Sequence, residues 1–174
     1  AESPTPAESA RWFRKDPDFD AQIRQRFGAS VIAARAGELD DWAHTPHGWL
    51  ALLIVLDQFP RNIHRDSAQA FASDAKAQGL VLDGLARGND RALRPIERMF
   101  CYMPLEHAED KVLQRRNVEL FTALRDSVDA SQRQRFGGFL DFALRHQSLI
   151  ERFGRFPHRN AVLGRDSTDV ERVW

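Results

Sequence analysis

An all-α fold is predicted, on three observations. The stretch from Trp49 to Leu56 (WLALLIVL) is apolar at every position. A helix with no polar face is a buried one, and this run is too short for a bilayer, which needs about 20 residues. Between Asp18 and Ala36 the apolar residues Phe19, Ile23, Phe27 and Val31 recur every four positions, the spacing of an amphipathic helix. No segment shows sustained period-two alternation, so no sheet is expected. The expected architecture is a single all-helical domain over residues 12–174, with about seven helices, two of them short, behind a tail at residues 1–11.

The elements follow in order. The tail (AESPTPAESA) carries two prolines and no large apolar side chain, and Trp12-Phe13 is the first anchor. The helix from Asp18 to Ala36 is stopped by Gly37. Thr45-Pro46 opens the buried helix, since Thr caps and Pro suits the first helical position. That helix is expected to stop near Phe59, because a residue before proline avoids the helical region. Ser67 opens a third helix, with Phe71, Ala75, Leu82 and Leu85 inward and Gly88 closing it. Asn89-Asp90 turns the chain. Pro95 begins a short helix with Ile96, Met99, Phe100 and Met103 on one face, and Pro104 is expected to end it and start the next, Leu105 to Leu124. Ser131 caps a long helix with an apolar line of Phe136, Phe139, Leu140, Ala143, Ile150 and Phe153, ended by Gly154. Thr168 and Glu171 form a capping-box pair for a last helix. So close to Trp174, that pair points to a truncated end or to one held by packing of Trp174.

The 174 residues suffice for one domain with a real core, and 43% hydrophobic residues with 12 Phe exclude a disordered chain. The 25 basic and 25 acidic residues cancel, which argues against a nucleic-acid binder. Twenty-two of the basic residues are Arg. Spread over the whole chain, they fit general composition; locally they fit bidentate recognition of carboxylates or phosphates. The one cysteine, Cys101, sits in the apolar string Met99 to Met103 and reads as a small buried hydrophobe. Neither a signal peptide nor a membrane span is visible, so a cytoplasmic protein is expected.

Two segments echo each other: Asp57-Gln58-Phe59-Pro60-Arg61-Asn62 and Phe153 to Asn160 (FGRFPHRN) share Phe-Pro and then Arg-Asn. Read as loops after helices, they place Arg61, Asn62, Arg159 and Asn160 on unpaired carbonyls at a negative dipole end. That structural reading comes first; the functional alternative is that the two segments converge on an anion. A second group is Glu106, His107, Glu109 and Asp110. Acids in a first helical turn are favoured by about 0.3–1 kcal/mol each, which explains them structurally. The functional alternative is a pocket with carboxylates for acid-base work and His107 as proton shuttle. His146 falls on the apolar line of its helix and reads as a hydrogen-bonded core residue. His158, in the Arg-rich loop, is the better functional candidate. From Ser131 to Arg165 the net charge is +5 and from Glu97 to Asp110 it is −3. The basic loop is therefore expected to dock on the acidic helix start. No phosphate loop, nucleophile motif or zinc spacing appears.

At Leu56 to Asn62, at Tyr102-Met103-Pro104-Leu105-Glu106-His107 and at Gly154 to Asn160, the chain resembles the bacterial family catalogued as domain of unknown function 924. Supporting matches include Trp12-Phe13, Phe19-Asp20, Ala70-Phe71-Ala72, His146 and Leu163-Gly164-Arg165. The resemblance covers nearly the whole chain. It implies an all-helical array similar to a tetratricopeptide (TPR) superhelix, and it implies no activity. Ala108 departs from a common Ser, and Asp66 from a common Gly.

Two functions are carried forward. In one, a small anionic ligand or metabolite binds a polar pocket with Asp57, Arg61, Asn62, Arg155, Arg159 and Asn160 as ligand-binding residues. Glu106, His107 and His158 are then the catalytic candidates, with no cofactor and no metal. In the other, a non-enzymatic TPR-like module takes a protein partner and the same residues are internal ion pairs. A binding role is favoured over catalysis, because no nucleophile-base arrangement can be read from the spacing. Neither nucleic acid nor membrane is an expected partner.

Overall fold

The computed structural model describes residues 12–173. The expectations for the tail and for Trp174 lie outside the described residues. Among those described there is no strand, and no helix is long and apolar enough to cross a membrane. The chain is all-α.

Helix α1 (Pro17–Ala36) is capped by the Asp16 carboxylate on the Phe19 amide and ends at Gly37, whose φ of 88° is left-handed. Helix α2 (Pro46–Leu53) starts where Thr45 accepts from the Gly48 amide. It does not stop near Phe59. A π turn (Ile54–Gln58) follows, and the rod continues as α3 (Phe59–Ile63). The reason is local. A proline ring collides with the carbonyl four residues back in α register. The wider turn, closed by the Phe59 amide on the Ile54 carbonyl, relieves that clash and Pro60 rides inside the rod. The first echo segment is therefore helix, not loop.

Helix α4 (Asp74–Ala86) begins later than expected, because Ser67 caps only the short 3-10 turn Ala68–Phe71. Its buried line is Ala77, Val81 and Gly84, while Ala75 and Leu82 face solvent. Gly84 is required: a Cβ there would stand 2.2 Å from the Trp49 ring, whose Nε1 donates to the Leu80 carbonyl at 2.7 Å. Helix α5 (Pro95–Glu106) runs through Pro104, which sits in its last turn and forfeits only one hydrogen bond. The break comes at Asp110, which caps α6 (Lys111–Ser127) by accepting from the Val112 and Leu113 amides. Helix α7 (Ala130–Phe153) starts after Asp129, two residues before the expected cap, and Gly154 closes it with φ 70°. The capping box of Thr168 and Glu171 does form, ahead of the four-residue α8 (Asp169–Arg172).

The α2–π–α3 rod lies at the centre, packed against α1, α4 and α5, and α5 leans on the α6–α7 pair. Trp49, Leu52, Leu53 and Leu56 are fully buried there with Met99, Tyr102 and Phe121. Burying each such side chain contributes about 1.5–3 kcal/mol. The polar end of this rod is thereby held against the C-terminal end of α5.

Candidate functional site

The π turn delivers Asp57 into the interior, where it is 1% exposed. π turns inside helices are frequent at functional sites. Three donors meet this carboxylate: His107 Nδ1 at 2.7 Å, Gln58 Nε2 at 2.6 Å and Arg61 at 3.1 Å. Burial works against its charge, but Arg61, His107 and Gln58 together outweigh burial and hold it well below the usual carboxylate range. His107 is the C-cap of α5. Burial and then the Arg61 charge push its pKa down, against the pull of Asp57. A neutral imidazole facing an ionised Asp57 donates through Nδ1–H, which leaves Nε2 as the ring's lone pair.

Beside this pair lies a cavity of about 260 Å³ with Met99, Met103, Phe121, Phe139 and Phe142 in its walls. Glu106, His107 and His146 supply its polar groups. Glu106 is 7% exposed, and His146 Nδ1 stands 3.5 Å from its Oε1. Burial first, then the Asp57 charge, push the Glu106 carboxyl up to about 8. The Asn117 amide beside it pulls the other way, though it stays outside hydrogen-bond geometry. Burial takes His146 down to about 4, with its Nδ1 on the Phe142 carbonyl at 2.9 Å. At neutral pH the chamber thus holds an un-ionised carboxyl and two uncharged imidazoles.

A second, polar recess of about 170 Å³ adjoins it, bounded by Gln58, Arg61, Asn62 and Arg65. The two share Phe13, Met103 and His107. Arg65 grips both oxygens of Asp20, and the Oδ1 of that carboxylate also accepts from Asn62 at 2.8 Å.

The arginines of the two echo segments do meet. Arg61 holds Asp74 with two bonds of 2.9 Å, and Arg159 approaches the same carboxylate at 3.7 Å. Arg159 donates to the His107 carbonyl at 3.1 Å and lies between the rings of Phe71 and Phe156, 4.6 and 4.4 Å from their centroids. The basic loop docks as its charge suggests: Arg165 makes a bidentate pair with Glu109, and the same carboxylate accepts the Phe156 amide.

Of the candidates, Asp57, Arg61, Glu106, His107 and Arg159 come together, and Asn62 borders the recess. Arg155 and Asn160 belong to a separate cluster on Glu171: Arg155 grips it bidentately, and Asn160 bonds Ser167 at 3.0 Å. His158 is exposed against Phe156 and borders neither cavity. Glu106 is the end of α5, not a first-turn acid, so the helix dipole does not account for it. His146 is hydrogen-bonded, as a core histidine would be, but it also lines the chamber. Asp74 was not singled out from the sequence. A lone acid at a helix start gives no sign of the two arginines it will serve.

A family model described as a bacterial protein of unknown function (DUF924) matches residues 2–174. The chain belongs to this family. Its fold is also similar to that of a solved protein of unknown function from Agrobacterium tumefaciens, 38% identical, with a TM-score of 0.85 and coverage of 96% of this chain and 89% of that one. No curated protein matches the chain. For this family member the departure at Asp66 has a visible consequence: the residue holds φ 58°, a left-handed conformation that glycine adopts without strain.

Proposed function

We propose that this protein binds a small molecule with an anionic group at one end and an apolar body at the other. The observation that carries this is the junction of the two cavities at His107. One side is walled by phenylalanine and methionine, which reward burial of an apolar body. The other presents Arg61 and Arg65, whose side chains remain 19% and 30% exposed. Glu106, kept un-ionised, does not repel an anion.

Calorimetric titration with aryl and alkyl carboxylates tests the proposal. Arg65→Met is expected to weaken binding about tenfold, because it removes a charge-assisted contact. Phe142→Ala is expected to weaken it by a similar factor. Equal affinity for the uncharged amide of the same ligand would refute the anionic half.

A second reading has its own support: a protein-partner module in which the signature residues are internal struts. Arg155, Arg159 and Arg165 are each engaged by Glu171, Asp74 or Glu109. These roles are compatible with a ligand in the cavity beside them.

A further inference from the structure

Resting on that binding reading, we propose that the cleft is catalytic: a cofactor-free site that tautomerises enolisable 2-oxo acids, with His107 as base and Glu106 as acid. Three observations lead there. The Asp57–His107 bond of 2.7 Å fixes the ring and directs its free lone pair away from Asp57. A base oriented by a third group, here a buried carboxylate, is a recurring arrangement in catalytic sites. Glu106 stands in the same chamber, with no arginine or lysine paired to it among the described residues; His146 and the Asn117 amide are its polar neighbours. A carboxyl kept un-ionised in an apolar chamber donates a hydrogen bond to a developing enolate. Finally, the chamber's lining has neither hydroxyl nor thiol among the described residues, so it offers proton movement rather than a covalent intermediate.

The order of groups along the cleft selects the substrate class. Arginines come first, then His107, then the phenylalanine and methionine walls. A 2-oxo acid has the same order: carboxylate, carbonyl and adjacent C–H, apolar side chain. In the step, His107 Nε2 takes the proton from C3. The C–H electron pair forms the C2=C3 bond, and the carbonyl π pair moves to oxygen, which takes the Glu106 proton. The enol leaves with the substrate's composition, its C3 proton left on His107 and the Glu106 proton carried on its oxygen. Proton exchange with water resets both side chains. Asp57 is a positioning residue.

The protonation states suit these roles. Burial keeps His107 unprotonated and raises Glu106 to about 8. The groups facing Glu106 are Asp57 on the π turn, His107 on its own helix, His146 on α7 and the uncharged Asn117 on α6. Activity is therefore expected to fall as pH rises through about 8, when the acid is lost.

The test incubates the full chain in deuterium oxide with phenylpyruvate and, separately, 4-methyl-2-oxopentanoate. Loss of the C3 proton signal gives the exchange rate, and calorimetry measures binding of the same compounds independently. Wild-type protein is expected to accelerate exchange. His107→Gln is expected to lower the rate at least about 100-fold while binding changes less than about threefold. Glu106→Gln is expected to slow exchange and abolish the alkaline fall, which a purely structural role would leave in place. Binding without accelerated exchange overturns the catalytic proposal and spares the binding reading. Failure of both compounds to bind overturns both. Variants exchanging at the wild-type rate, with circular dichroism showing them folded, also overturn it.

Discussion

Arg159→Ala separates a strut from a ligand contact. The residue is 6% exposed and loss of its side chain removes three things. Its hydrogen bond leaves the His107 carbonyl unpaired in the interior, at about 1–3 kcal/mol. Two ring contacts go with it, about 0.5–1 kcal/mol each. The carboxylate of Asp74 is not orphaned, because Arg61 keeps both of its bonds. The full penalty of a broken buried pair, about 3–5 kcal/mol, therefore does not apply. Relief of the repulsion between Arg61 and Arg159, which with burial takes Arg159 down to about 10, offsets part of the loss. The expected net destabilisation is about 2–4 kcal/mol, read as a lower midpoint in urea with an unchanged slope. A loss below about 1 kcal/mol, with ligand binding abolished, would refute the strut and make the guanidinium a ligand contact.

Further outcomes are expected elsewhere in the molecule. The Glu106 pKa in the folded state lies above its ordinary value, so the native state holds the extra proton between pH about 4.5 and about 8, and stability falls as pH rises through that window. Glu106→Gln should flatten that decline in urea midpoints measured across it; an unchanged slope would show that the carboxyl does not titrate there. For His146 the sign is opposite: its contribution is present above about 6.5 and lost as pH falls toward about 4. Gly84→Ala forces a methyl against the Trp49 ring and should cost about 1–3 kcal/mol, with a shift in tryptophan emission. Asp66→Gly relieves left-handed strain of about 1–2 kcal/mol but adds chain entropy of about 0.5–1, so a gain of about 0.5 kcal/mol in thermal or urea unfolding is expected. The exposed ion pair it gives up with Lys15 contributes little.

What could be read from the residues was mostly local. Gly37, Thr45, Gly154 and the Thr168–Glu171 box mark helix ends because each acts through bonds to its own neighbours. Pro60 and Pro104 misled for the converse reason. A proline's local preference is to end a helix, and here packing of the central rod and of the last turn of α5 prevails. The convergence of Arg61 and Arg159 was legible from charge and from the repeated Phe-Pro and Arg-Asn. Their common partner, Asp74, was not. His146 shows a further limit: helical spacing says which side of α7 faces inward, but an inward side chain can meet either packed neighbours or a cavity.

The wide turn at Ile54–Gln58 has a mechanical consequence. One surplus residue in a helix advances everything after it by about 100° around the axis. The rod is thus cut into two halves of different phase, one greasy towards the centre, the other turning Arg61 and Asn62 outward beside the recess. Removing a single residue from that turn would give a smoother helix. It would also swing the guanidinium of Arg61 off Asp74 and take Asp57 away from its imidazole, dismantling the cleft while every helix stayed intact.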